Sequence, residues 1–160
     1  MSEREQVGAG MSFPGVHVVP SAINPIVGGV TGTVEDIQKW ADGNLLQIDE
    51  VAAMPGIEFE ILFSGVTDIQ RIALAINYDG STSHWIEVAL WNYVELANKL
   101  LWTINRDGNI DYKYADLPVE NPIDRFEFID GAGNAKMRIY HPVNGNAAHN
   151  VFIDYAALIR

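Results

Sequence analysis

The sequence contains no cysteine, few basic residues and no long apolar run. Without cysteine the chain forms no disulfide and does no thiol chemistry, so its redox compartment is not indicated. Ten basic residues against 21 acidic ones give a net charge of −11, which argues against a nucleic-acid partner because such partners need clustered Lys and Arg. No stretch approaches the roughly 20 apolar residues of a membrane span. MSEREQVGAG lacks the pattern of a signal peptide, so we expect a soluble protein with no membrane partner.

The remaining composition is that of a folded domain with an unusual beginning. The chain has 160 residues, of which 48% are hydrophobic and 19% charged, as in a single globular domain. Residues 1–30 are rich in Gly and Pro and show no regular period. We interpret them as an extended N-terminal arm, which wraps the domain or docks on a neighbour; a partly ordered tail is the alternative. Its apolar residues Phe13, Val16 and Val18 are candidates for an interface.

Residues 31–160 predict strand after strand. IEFEILF alternates apolar residues with Glu58 and Glu60, and RIALAINY and HWIEVALWNY repeat this period of two. TVEDIQKWAD predicts one or two helical turns capped by Thr33. Residues 94–101 fit a strand or a helix. Eight or nine strands with few helices favour an all-β protein, an antiparallel β-sandwich of the jelly-roll type.

DGSTS predicts a hairpin in which Tyr78 pairs with His84. This register places the large aliphatic residues on one face and leaves Trp85, Trp91 and Tyr93 on the other, beside small alanines. Another element of the chain would cover that second face, or it would serve as a sugar-stacking platform or a subunit interface.

HPVNGNAAHNVFIDY predicts a second hairpin, with His141 opposite His149 and Lys136 opposite Asp154. In an unbroken strand His149 and Asp154 point to opposite sides, so they cannot share a metal ion. Two histidines alone are an incomplete zinc site. We therefore predict that these four residues are structural and that the protein has no metal or other cofactor.

Sequence motifs for catalysis are also lacking. The chain has no G-x-S-x-G, H-E-x-x-H or phosphate-binding loop. Glu58 and Glu60 are expected to be solvated, and the turns at 107–109 and 130–134 do not complete a calcium-binding loop. We predict no catalytic residue and therefore a protein that is not an enzyme.

Four segments together resemble a known group of proteins: DGN (42–44), IDEVAAMPGIEFEILFSGVTD (48–68), YDGSTSHWIEVALWNY (78–93) and MRIYHPVNGNAAHNVFIDYAAL (137–158). They resemble jelly-roll domains in proteins of tailed bacteriophages. They are also similar, more loosely, to galactose-binding-like carbohydrate-binding modules. The resemblance covers roughly residues 40–158.

The bacteriophage resemblance implies a structural component of the virion, made in the host cytoplasm. We expect a homo-oligomeric capsid decoration or accessory subunit, ahead of a tail or fibre component, that binds other virion proteins through its arm. The alternative is a carbohydrate-binding module that stacks a glycan on Trp85, Trp91 and Tyr93.

Overall fold

The computed structural model describes residues 15–106, 108–117, 119 and 121–160, so Phe13 lies outside the described residues. The strands, in chain order, are β1 (His17–Val18), β2 (Ala22–Val27), β3 (Gly29–Thr31), β4 (Leu46–Asp49), β5 (Ile57–Phe63), β6 (Arg71–Asp79), β7 (Trp85–Asn92), β8 (Ala97–Asn105), β9 (Asp111–Asp116), β10 (Ala135–His141) and β11 (Asn150–Ile159). Two 3-10 helices span Val34–Ile37 and Pro122–Phe128. In the part of the chain just defined, neither helix is long and apolar enough to cross a bilayer.

The strands form two antiparallel sheets that pack face to face. The first sheet has the order β3-β4-β11-β6-β9, with β1 also paired to β11. The second sheet has the order β2-β5-β10-β7-β8. The predicted all-β sandwich of the jelly-roll type is confirmed.

Alternation of apolar and polar residues positions the core between the sheets. Along β5, Ile57, Phe59, Ile61 and Phe63 are buried while the residues between them reach the surface. Met137 and the other buried residues of β10 repeat this pattern. Burying each such side chain contributes roughly 1.5–3 kcal/mol, which holds the two sheets together.

The outer face of the first sheet carries a second, smaller core. Ala73 and Ala75 on β6 are fully buried, and Tyr114 and Tyr112 lie opposite them on β9. Trp40 packs edge-to-face on Tyr112 with 4.7 Å between ring centroids. The chain itself therefore covers the small alanines of this face.

Both predicted hairpins are wrong in their pairing. Strand β6 pairs with β11 and β9 in the first sheet, whereas β7 pairs with β10 and β8 in the second. Strands β10 and β11 likewise lie in different sheets. The turn after β6 and the turn after β10 are thus arches across the sandwich. The predicted core faces are nevertheless buried, because strands that face each other across a core show the same apolar pattern as neighbours in one sheet.

The predicted arm overlaps the sandwich. Strand β1 pairs with β11, β2 with the edge of β5, and β3 with β4. Val18 lies opposite Leu158 and packs against the main core, while Val16 is 51% exposed and exchanges backbone hydrogen bonds with Arg160. The predicted boundary at residue 30 therefore falls inside β3, and the sandwich begins well before it.

The two remaining local predictions have clear outcomes. The Thr33 backbone N–H donates to Asp36 Oδ2 at 2.7 Å, and the expected turn follows as the helix at Val34–Ile37. Residues 94–101 are not helical: Leu96 has a φ of 54°, which ends a turn, and β8 starts at the next residue.

Candidate functional site

Strand β7 carries two of the predicted binding residues on the outer face of the second sheet. Trp85 and Trp91 are half-buried and lie on the same side of the strand. They are six positions apart along the strand, so their Cα atoms are roughly 20 Å apart at about 3.3 Å per residue. Tyr93 follows the strand. Burial raises the pKa of its hydroxyl, and the charges of Asp130 and Glu60 raise it further.

Strand β10 adds a ring and two cations to this face. Tyr140 lies opposite Glu87 of β7, and Arg138 lies two residues before it on the same side of β10. The guanidinium carbon of Arg138 is 4.1 Å from the Tyr140 ring centroid, and Lys136 Nζ is 5.0 Å from that of Trp91. These are cation–π distances. We call Trp85, Trp91, Tyr93 and Tyr140 the aromatic face.

Carboxylates of strand β5 complete the polar part of this surface. Lys136 Nζ lies 2.9 Å from Glu60 Oε1, and Asn24 Nδ2 donates to Glu60 Oε2 at 2.9 Å. Burial alone would raise the pKa of Glu60, but the bonds from Lys136 and Asn24 outweigh it and lower that pKa. Arg138 Nη1 lies 3.8 Å from Glu58 Oε1. The aromatic rings of this face therefore lie beside charged side chains whose positions are fixed by ion pairs and hydrogen bonds.

The predicted floor of alanines is absent from the aromatic face as the structure describes it. Ala73 and Ala75 belong to the first sheet and are covered there. Only Ala89 of the predicted floor lies beside the two tryptophans, on β7. Polar side chains from β5 and β10 occupy the surface instead. In the sequence, the basic and aromatic residues at alternate positions of KMRIYH were the signal that could have predicted this polar surface.

A second group of side chains fills one end of the sandwich, between the sheets. Glu50 follows β4, Tyr78 lies near the end of β6, His84 precedes β7, His141 ends β10 and His149 precedes β11. We call these five residues the histidine cluster. Three connecting loops meet here, so residues far apart in sequence come into contact.

Glu50 is the centre of the histidine cluster and is 1% exposed. Its Oε2 accepts a hydrogen bond from the Tyr78 hydroxyl at 2.9 Å, and its Oε1 accepts one from the Asn146 backbone N–H at 3.0 Å. His149 Nδ1 lies 3.3 Å from Oε2. Burial, and secondarily the Glu50 carboxylate, raises the pKa of Tyr78, so its hydroxyl remains a donor at neutral pH.

His141 is fully buried, and its surroundings determine which nitrogen carries the proton. Nδ1 lies 2.7 Å from the backbone oxygen of Trp85, which only accepts, so Nδ1 is protonated. Nε2 lies 3.0 Å from Glu50 Oε1 but makes no hydrogen bond within the described residues. His84 Nδ1, 3.7 Å from the same oxygen, has no hydrogen-bond partner among those residues either.

Two glycines allow the loops to close over the histidine cluster. A Cβ on Gly145 would lie 2.1 Å from the backbone oxygen of Val51, and one on Gly56 would lie 2.6 Å from the His141 ring. Gly56 N–H also donates to the backbone oxygen of His141 at 3.0 Å. The backbone here is too close for any larger side chain.

The four residues of the predicted second hairpin occupy different places. Lys136 pairs with Glu60, not with Asp154. Asp154 sits at an irregularity of β11, where the register shifts between Ile153 and Tyr155, and its Oδ2 accepts from the backbone of Ala41. The register of the strand thus shifts where we assumed regular alternation, yet Asp154 and His149 have separate partners. The pairing was wrong because it joined strands of opposite sheets.

Sequence reasoning missed Glu50, Tyr78 and His84 as members of one cluster. Tyr78 was placed on a core face, where it is buried, but His84 was paired with it across a hairpin that does not form. Glu50 follows an apolar strand without any local motif. Only the meeting of three loops brings these residues to His141 and His149.

Neither a protein-family model nor a curated protein sequence matches this chain. Solved structures do. A mutant of a family 29 carbohydrate-binding module aligns with a TM-score of 0.54 at 12% identity, covering 89% of each chain. A second mutant of this family aligns with a TM-score of 0.53 at 13% identity, covering 91% of this chain and 86% of that one.

A third family 29 structure, a mutant complexed with mannohexaose, aligns with a TM-score of 0.52 at 11% identity and covers 91% of this chain and 92% of its own. At such identities the likeness concerns the fold alone. It confirms, at that level, the looser of the two resemblances seen in the sequence. The chain has the β-sandwich fold of family 29 carbohydrate-binding modules.

Proposed function

We propose that the protein is a non-catalytic carbohydrate-binding module and that the aromatic face is its binding surface. The observation that carries this proposal is the set of contacts around the half-buried Trp91, where Lys136 lies over the ring and forms an ion pair with Glu60. Sugar rings present apolar C–H faces and hydroxyl edges. Such ligands fit a surface on which aromatic rings alternate with fixed donors and acceptors.

The geometry supports an extended ligand. Trp85 and Trp91 are roughly 20 Å apart along one strand, and Tyr140 with Arg138 lies on the neighbouring strand between them. A chain of several sugar units would contact more than one ring. The family 29 structure complexed with mannohexaose is consistent with this ligand class.

The virion function remains a prediction. The matched structures described above are carbohydrate-binding modules, and their names mention no virion component. The predicted homo-oligomer, the attachment through Phe13, Val16 and Val18, and the location in a virion are likewise untested. Binding of a glycan to the aromatic face would be compatible with such a location.

The direct test is titration of the full chain with neutral oligosaccharides, including mannohexaose, by isothermal calorimetry. We expect Trp91→Ala to weaken binding by about 2 kcal/mol, roughly thirtyfold, because it removes the stacking ring that contacts the Lys136–Glu60 pair. Tyr140→Ala should also weaken binding.

Tyr114→Ala is the matched control, because this ring lies on the outer face of the opposite sheet. It should leave oligosaccharide affinity unchanged. Binding that survives in the Trp91 variant, or no binding to any neutral glycan of the panel, would reject the proposed surface. Far-UV circular dichroism of each variant checks that the sandwich is intact.

A further inference from the structure

We propose that the histidine cluster is a zinc site in which Glu50, His84, His141 and His149 are the ligands. Three of the four histidines of the chain meet at one buried carboxylate. Together with Glu50, they come from three connections of the sandwich, namely β4–β5, β6–β7 and β10–β11. This inference does not depend on carbohydrate binding.

The spacing of the ligand atoms of Glu50, His84 and His149 suits a metal ion, and His141 approaches the same carboxylate as the fourth candidate ligand. Zinc bonds to nitrogen and oxygen are about 2.0–2.1 Å long, so neighbouring ligands of a tetrahedral site lie roughly 3.3 Å apart. The carboxylate oxygens of Glu50 lie 3.0 Å from His141 Nε2, 3.3 Å from His149 Nδ1 and 3.7 Å from His84 Nδ1. Ligand atoms of Glu50, His84 and His149 all lie within 4.8 Å of one another.

The proton positions in the histidine cluster favour binding of a cation. His141 Nδ1 donates to Trp85, so in the neutral ring Nε2 presents a lone pair toward Glu50 Oε1 at 3.0 Å. A lone pair facing a carboxylate oxygen is repulsive unless a positive charge lies between them. His84 Nδ1 adds a second nitrogen without a hydrogen-bond partner among the described residues. One metal ion would satisfy both nitrogens and balance the buried carboxylate.

The surroundings also resemble the outer shell of a metal site. Metal-bound histidines commonly donate their other ring N–H to a backbone oxygen, as His141 does to Trp85. The Glu50 carboxylate is oriented by the Tyr78 hydroxyl and the Asn146 N–H. Imidazole ligands favour zinc over calcium or magnesium, which take oxygen ligands.

The ion would have a structural role, because its ligands come from both sheets of the sandwich. Glu50 and His149 adjoin strands of the first sheet, whereas His84 and His141 adjoin strands of the second. With protein ligands in all four positions, the site is closed, as structural zinc sites are. Zinc would therefore tie the two sheets together at one end.

The test is zinc binding by the full chain after chelator treatment. We expect one zinc per chain in calorimetric titration with zinc chloride. At a free zinc concentration of about 100 times Kd, the thermal midpoint should rise by roughly 5–10 °C. The cobalt(II) form should show the intense visible absorption of tetrahedral coordination.

The variant of choice is His84→Gln, because this side chain is 24% exposed and its replacement should not prevent folding. It should weaken zinc binding at least about tenfold. Glu50→Gln should do the same while keeping the size of the side chain. His17→Gln is the matched control, since His17 is the histidine outside the cluster and lies 2.7 Å from the Tyr155 hydroxyl.

Three results would overturn the site. They are a wild-type chain that binds no zinc, a His84 variant that binds it as tightly as wild type, and a His17 variant that loses it equally.

Discussion

Asp154 is a carboxylate that the fold buries in strand β11. Asp154 is 5% exposed and lies at the point where the register of the strand shifts. Burial raises the pKa of Asp154, the hydrogen bond from the Ala41 N–H lowers it, and the charge of Asp42 raises it, with an upward net result. A group of this kind makes stability depend on pH.

We expect Asp154→Asn to raise the free energy of unfolding at pH 7. Because the folded protein holds the Asp154 proton more tightly than the unfolded chain does, ionisation costs stability as the pH rises above the ordinary pKa of 3.8. Asparagine does not ionise, and its Oδ1 can still accept from Ala41. The gain should shrink as the pH falls toward 3.8. Urea unfolding between pH 4 and 7 measures it.

Asp130 provides the comparison with the opposite sign. Its pKa is lowered chiefly by hydrogen bonds from Asn134, and further by the backbone of Ala132 and Gly133. Its ionised form stabilises the fold above pH 3.8, and this contribution is lost in acid. Asp130→Asn should therefore destabilise at pH 7. If both asparagine variants were destabilised at pH 7, the account of Asp154 would be wrong.

At the scale of the elements, the first three strands connect the two sheets. Strand β2 forms the edge of the second sheet and β3 an edge of the first, with Gly28 between them at a φ of 110°. A Cβ at Gly28 would lie 2.6 Å from the backbone oxygen of Asp49. A residue without a side chain is required where the chain passes from one sheet to the other.

Two N-terminal deletions distinguish the contribution of β1, β2 and β3 to stability from that of the residues that precede them. Deleting residues 1–31 removes β1, β2 and β3 and exposes the edges of β4 and β5, so we expect unfolding or aggregation. Deleting residues 1–14 removes no described strand and should leave the unfolding midpoint nearly unchanged. Circular dichroism and size-exclusion chromatography distinguish these results. A stable, monomeric 32–160 fragment would contradict the assigned role of β2 and β3.

The shorter deletion also tests the predicted assembly arm. It removes Phe13 but keeps Val16 and Val18. If Phe13 and the other residues before Gly15 mediate self-association, the 15–160 fragment should lose it while remaining folded.

At the scale of the whole molecule, the net charge of −11 bears on which glycans can approach. The surface around the aromatic face carries three carboxylates, Glu58, Glu60 and Glu87, and two basic side chains, Lys136 and Arg138. Its local charge therefore does not offset the negative charge of the rest of the protein. Acidic polysaccharides would be repelled at long range.

We therefore expect neutral oligosaccharides to bind more tightly than uronic-acid oligomers of equal length, a prediction that rests on the proposed function. The difference should narrow as salt is raised from low ionic strength to about 0.5 M, because salt screens the repulsion between charges. Calorimetry with both ligands at both salt concentrations measures it. Tighter binding of the acidic oligomer would show that Lys136 and Arg138 outweigh the global charge.

The sequence by itself determined the strands and the face that each strand turns inward. Alternation in IEFEILF was enough to predict the buried row from Ile57 to Phe63, and the even spacing of Trp85 and Trp91 predicted that both lie on one face. These properties depend on neighbours along a single strand, because side chains in an extended chain alternate with a period of two. The all-β class followed from them.

Only the tertiary structure decided which strands pair and which loops meet. Alternation says which side of a strand is apolar but not in which sheet the strand lies, so arches after β6 and β10 were mistaken for hairpins. The break in β11 at Asp154 and the contacts of Glu50 with His141 and His149 have no local signal. They arise because packing two sheets together brings the ends of distant strands to one place.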